Sequence, residues 1–214
     1  MAYHVWPTVE CMDREADGTI SEAETERPHS RLTRYEGMFP GYRTEIVEGA
    51  IMTSPVRPHH ARTIRLVWNE LEAQLPAEWG FISDVAVPFD GDNEFCPDLA
   101  VIPAAEADRN LSAYSPELIG LAIEVVAPSS VRNDHEVKSR AYARRGIRNY
   151  LIFDPYQEHC VTFWHPGPDG YLGRDTFRYG GTVSVETSLG KLVIDTAPSP
   201  STPKPDASPS SGAG

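Results

Sequence analysis

Glu124 is the lone charge in an otherwise apolar run, Leu118-Ile119-Gly120-Leu121-Ala122-Ile123-Glu124-Val125-Val126-Ala127. The run is short, aliphatic and β-branched, and it lies between Pro116 and Pro128, the pattern of a buried strand. A carboxylate in such a place needs a proton, a partner or a metal. Upstream, Cys96-Pro97-Asp98 leads into the apolar stretch Leu99 to Ile102 and puts a second acid at the start of another strand. Downstream, Lys138 falls in a helical pattern. Two acids and a lysine from strand, strand and helix suit metal-assisted hydrolysis of a phosphoester. That chemistry needs a divalent cation, a water of lowered pKa and positive charge near the transition state. Magnesium, or manganese in its place, takes oxygen ligands and keeps several waters. Asp98 and Glu124 are the expected ligands, with the backbone carbonyl of Val125 beside them and Lys138 positioned for the water or the phosphate.

Each residue also has a plainer reading. Pro97-Asp98 alone is more often a turn than a ligand. Glu124 could be paired with an arginine such as Arg148, and a helical lysine is usually solvated. The joint pattern is what favours a site.

The elements that must position these residues follow from periodicity. Glu48-Gly49 between Thr44–Val47 and Ala50–Thr53 reads as a two-residue hairpin turn. Ile64, Val67, Trp68, Leu71 and Leu75 recur at helical spacing, and Pro76 stops that helix. The stretch 81–89 alternates like one strand, followed by an Asp90-Gly91-Asp92-Asn93 turn. Asn133 and Glu136 are spaced as a capping pair for a helix that runs to Arg145, with Gly146 as its stop. On that helix Asp134, Lys138 and Tyr142 share a face, while Val137 and Ala141 face the core. Residues 149–153 form another buried strand, and more strands are expected near 160–164, 171–178 and 182–194. The order gives an α/β (α+β) fold, a mixed sheet flanked by helices with additional C-terminal strands.

Composition narrows the function classes. The 214 residues suit one folded domain, expected over 31–196, between an acidic arm over 1–30 and a Pro/Ser-rich tail over 197–214. Cys11, Cys96 and Cys160 form no CxxC pair, which disfavours structural zinc and a disulfide framework. No stretch suits a membrane span or a signal peptide, so a cytoplasmic location is expected. The net charge of −12 argues against generic nucleic-acid binding. Arg132, Lys138, Arg140, Arg144, Arg145 and Arg148 cluster around the site helix, either to serve a polyanion or as a solvated face.

The sequence resembles the Uma-two family of restriction-endonuclease-like proteins, a branch of the PD-(D/E)XK nucleases, over roughly residues 30 to 195. The resemblance rests on Thr44–Gly49, Ser54-Pro55 followed by His60, and Pro97-Asp98. Ile123–Ser130 follows, then Asp134, Lys138, Tyr142, Gly146 and Tyr150, with Asp154-Pro155 after them. It implies a nuclease core with metal on Asp98 and Glu124, and it adds a further acid from the first hairpin, Glu45. Val126 stands where the superfamily has its lysine, and in this family that role falls to the helix, which fits Lys138. Ala127 replaces the usual serine. His60 is read first as a structural histidine and second as an accessory site residue. Tyr142 is read as packing, with its hydroxyl near the site.

Three functions remain open: a magnesium- or manganese-dependent endonuclease on DNA, a catalytically inactive binding or assembly module on the same fold, and a hydrolase of small phosphoesters. A homodimer paired through sheet edges would suit a double-strand cutter.

Overall fold

A computed structural model describes residues 30–35, 38–55 and 57–200. The expected N-terminal arm and C-terminal tail therefore lie outside the described residues, apart from Ser30 and residues 197–200. The described part is a mixed α+β structure. β1 (Tyr42–Val47) and β2 (Ala50–Pro55) form the expected hairpin. Glu48 and Gly49 have φ of 49° and 79°, the paired positive values that a two-residue hairpin turn requires. The turn is anchored where the Gly49 N–H donates to the Asp92 carbonyl, 2.8 Å away. α1 (Pro58–Glu72) follows, with proline in its first turn.

The sequence suggested one strand over 81–89, and the structure divides it. β3 (Trp79–Ile82) pairs with β6 (Leu99–Pro103), whereas β4 (Val87–Pro88) pairs with β5 (Glu94–Phe95) in a separate sheet. The break falls at Asp84, whose φ of 55° is incompatible with a continuing strand. Its N–H donates to the Pro97 carbonyl, and the Ser83 hydroxyl donates to the Asp98 carbonyl. A period-2 pattern cannot distinguish one strand from two in register on different sheets.

After the short helix α2 (Ala104–Ala107) come β7 (Leu121–Val125), a wide π-type turn (Asn133–Lys138), α3 (Ser139–Arg144) and β8 (Asn149–Asp154). The hairpins β9 (His159–Gly167) with β10 (Gly170–Arg178), and β11 (Thr182–Thr187) with β12 (Gly190–Asp195), complete the chain. The central sheet runs β10-β9-β8-β7-β6-β3, and a four-stranded sheet runs β2-β1-β5-β4. β7 and β8 are parallel and the other neighbours in the central sheet are antiparallel, so it is mixed.

β7 shows how the sheet builds both cores. Leu121, Ile123 and Val125 face Val67 and Leu71 of α1 and the β11–β12 hairpin. Ala122 and Val126 face Val137, Ala141 and Tyr142 of the other layer. Alternation along a strand therefore turns Glu124 toward the second layer, where α3 and the small sheet lie.

The expected capping pair does not form: Asn133 lies inside a helical turn that has already begun, and no side chain caps the segment. Ser130 takes the anchoring role. Its hydroxyl accepts from the Ala127 N–H at 3.0 Å and donates to Asp134 at 2.5 Å. Gly146 ends α3 with a φ of 73°, as the sequence indicates. No helix among the described residues is long and apolar enough to cross a membrane.

Candidate active site

Five carboxylates, two permanent cations and one imidazole meet where β1, the β6 entrance, β7, α1 and the π-type turn converge. Leu99 pairs with Ile123 across the β6–β7 ladder, so Asp98 lies opposite Glu124. Both side chains are buried. The Val125 N–H donates to Asp98 Oδ2 at 2.6 Å. The N–H and C=O of one residue leave a strand on the same edge, so the Val125 carbonyl also points toward the Asp98 side.

Lys138 is fully buried beneath three acids. Its Nζ lies 3.0 Å from Glu124 Oε1, 2.9 Å from Glu45 Oε1 and 3.4 Å from Asp134 Oδ1. Burial alone would lower its pKa, but Glu124, Glu45 and Asp134 hold it well above the ordinary lysine value. Lys138 is therefore a fixed positive charge. The Tyr142 hydroxyl donates to the same Glu124 oxygen at 2.7 Å. The Tyr150 hydroxyl donates to the Asp134 carbonyl at 2.9 Å and holds the wide turn against the sheet. Such turns insert a residue into a helix and recur at functional sites.

The two central acids differ. Burial raises Glu124 well above the usual carboxylate range, and Asp98, Asp134 and Glu45 reinforce this against the pull of Lys138. Burial acts on Asp98 too, but the Arg43 guanidinium and the bond from His60 hold it below its ordinary value. Asp134 is pushed up to about 6 by burial, against Lys138 and the Ser130 hydrogen bond.

Arg43 and Asp84 belong to this cluster and were not singled out from sequence. Arg43 donates to Asp98 Oδ1 through both terminal nitrogens and lies 3.5 Å from Asp84. A signal for Arg43 was available: it stands two residues before Glu45 on β1, hence on the same strand face. Asp134 lies four residues before Lys138 in the motif already quoted. Nothing local pointed to Asp84, whose place depends on the broken strand. His60 sits with Nε2 3.0 Å from Asp98 Oδ1, at the N-terminal end of α1.

Other sequence expectations change. Arg148 is exposed and does not partner Glu124, because strand alternation turns that acid toward Lys138. The basic cluster is divided among separate contacts. Arg132 pairs with Glu48, Arg140 with Glu136, and Arg145 with Glu117, while Arg144 donates to the Pro168 carbonyl and Lys138 is buried.

The donor chemistry suits a hard divalent cation: carboxylate oxygens from Asp98, Glu124 and Glu45 with a backbone carbonyl at hand. Glu124 Oε2 is buried without a hydrogen-bond partner, an oxygen left over for such an ion. Among the described residues no three His, Cys, Asp or Glu are already gathered as a metal cage. Arg43 and Lys138 stand among the acids instead. A cavity of about 20 Å³ lined by Arg43, Glu45, His60, Asp134 and Lys138 opens beside them, room for one water.

A mixed sheet that brings two acids together from adjacent strands, with a buried lysine over them, defines a restriction-endonuclease-like core. The family described as "Putative restriction endonuclease" (Uma2) matches residues 10–197, and the chain belongs to that family. A solved structure described as "a putative nuclease belonging to DUF820 from Anabaena variabilis ATCC 29413" is similar in fold, with a TM-score of 0.51 and 15% identity. The match covers 66% of this chain and 80% of that one. No curated protein matches the chain.

Proposed function

We propose that the protein is a divalent-metal-dependent endonuclease that hydrolyses DNA phosphodiester bonds. The observation that supports this most directly is that Asp98 lies opposite Glu124 across the β6–β7 ladder while Glu124 and Glu45 converge on the buried Lys138. Asp98, Glu124 and the Val125 carbonyl would hold magnesium or manganese, with Glu45 completing the set. When bound, the ion would lower the pKa of a water and neutralise a phosphate oxygen. Lys138 supplies fixed positive charge at the cavity wall and a donor for the attacking water or the phosphate. Tyr142 orients Glu124 through its hydroxyl. His60 orients Asp98 and is a candidate to accept a proton at the cavity.

Glu124→Gln and Lys138→Met are expected to reduce metal-dependent cleavage of plasmid DNA by at least ~100-fold, the scale for removing a preorganised charge-stabilising group. Chelation with EDTA is expected to abolish cleavage in the wild type. Unchanged cleavage in both variants would overturn the proposal.

One observation favours a second reading, a nuclease-fold binding module without activity: Arg43 already pairs with Asp98. No cleavage of single- or double-stranded DNA with either metal, together with salt-sensitive DNA binding, would select it.

A further inference from the structure

The acids of the site outnumber its permanent cations. Among the described residues, Glu45, Asp84, Asp98, Glu124 and Asp134 face two permanent cations, Arg43 and Lys138. Lys138 lies on the helix side. Arg43 lies between the two central acids: its Nη1 is bonded to Asp98 Oδ1 and is 3.9 Å from Glu124 Oε2. The same nitrogen donates to the Cys96 carbonyl at 3.3 Å, and Nη2 lies 3.1 Å from His60 Nε2. Both oxygens of Asp98 are thus engaged. Oδ2 accepts from Val125, and Oδ1 is covered by Arg43 and His60. Glu124 Oε2, buried and without a hydrogen bond, faces the guanidinium.

We propose that Arg43 is the internal counter-ion of the two central acids, standing between Asp98 and Glu124, which would hold a divalent cation, and that metal loading requires it to leave Asp98. The inference rests on the metal reading above. Two cations cannot share the Asp98 Oδ1 directions, so guanidinium and metal compete. The competition lowers apparent metal affinity by the fraction of molecules in which Arg43 is withdrawn. In return, Arg43 keeps two buried acids apart from mutual repulsion when no metal is present. An exit is at hand. Arg43 Nε is already 3.5 Å from Asp84, whose side chain is half exposed on a cavity of about 690 Å³ that Arg43 also lines. Released from Asp98, the guanidinium can stay paired with Asp84 at the cavity floor.

The test uses the wild-type chain without nucleic acid, labelled with ¹⁵N-arginine. The Arg43 Nε–H resonance is assigned by its loss in Arg43→Lys and followed through a Mg²⁺ titration. It is expected to shift progressively and saturate with the metal, as the guanidinium leaves Asp98 and stays paired with Asp84. Calorimetry with Mn²⁺ is expected to show Arg43→Met binding at least ~10-fold more tightly than the wild type. Metal is also expected to raise the Tm of Arg43→Met by more than that of the wild type. A resonance unmoved at saturating metal, or a variant that binds Mn²⁺ no more tightly, overturns the displacement and leaves the metal reading in place. Absence of binding in wild type and both variants overturns the metal reading itself and this inference with it. The wild-type titration stands even if Arg43→Met fails to fold.

Discussion

Lys138 shows how far a single residue can depart from its usual behaviour. A helical lysine is ordinarily solvated, yet this one is buried and held by Glu45, Glu124 and Asp134. Replacing it with methionine removes the charge that balances them. Lys138→Met is expected to cost about 3–5 kcal/mol of stability, the range for leaving buried charges unpaired, measured by urea denaturation without metal. A loss below about 1 kcal/mol would mean that protons already neutralise the acids. Tyr142→Phe is a milder change, since it deletes only the hydroxyl that bonds Glu124. It is expected to cost about 1–3 kcal/mol by the same measurement, with the fold and the aromatic contacts to Phe89 and Tyr150 retained. The sequence had marked both positions through their spacing on one helix face. It had not marked Arg43, because an arginine in a hairpin strand is unremarkable until its neighbours across the sheets are known.

Among the elements, the β1–β2 hairpin and the wide turn before α3 carry the site. The hairpin holds Arg43 and Glu45, and its tip depends on a glycine at φ 79°. Gly49→Ala is expected to destabilise the protein by about 1 kcal/mol or more, because alanine resists that backbone conformation. The added Cβ would meet only Asp92 Oδ1, at 3.6 Å, so the cost should come from the backbone rather than a clash. A midpoint shift in urea at unchanged slope would show this. The wide turn depends on Ser130, whose hydroxyl joins the Ala127 N–H to Asp134. Ser130→Ala is expected to cost about 1 kcal/mol, the usual net scale for a lost hydrogen bond. The turn and the hairpin were legible as elements. The π-type geometry was not, since one extra residue in a helical turn leaves the apolar spacing of Val137 and Ala141 almost unchanged.

At the scale of the molecule, charge is the governing constraint. The chain has a net charge of −12, and Arg132, Arg140 and Arg145 around the site helix are already paired with acids. DNA binding is therefore expected to be weak without divalent metal and to strengthen when metal is added, measured by fluorescence anisotropy at fixed ionic strength. Equal affinity with Mg²⁺ and with EDTA would contradict it. The homodimer expected from sequence has its candidate surface on β2, an edge strand of the small sheet with Ile51 and Met52 exposed. Sedimentation is expected to show a concentration-dependent dimer that Met52→Lys dissociates, and a wild-type monomer at all concentrations would remove the idea.

What the sequence determined by itself is the set of elements and the acids they carry. Apolar periodicity is a local property, and a lone carboxylate in a buried strand announces itself wherever that strand packs. The partners were decided only in three dimensions. Arg43 reaches Asp98 across 55 residues, Glu45 meets Lys138 from another sheet, and Asp84 enters because the chain leaves one sheet for another. A buried charge requires some partner, and that requirement is written in the chain. Which partner meets it depends on how the layers stack, and local sequence carries no record of that.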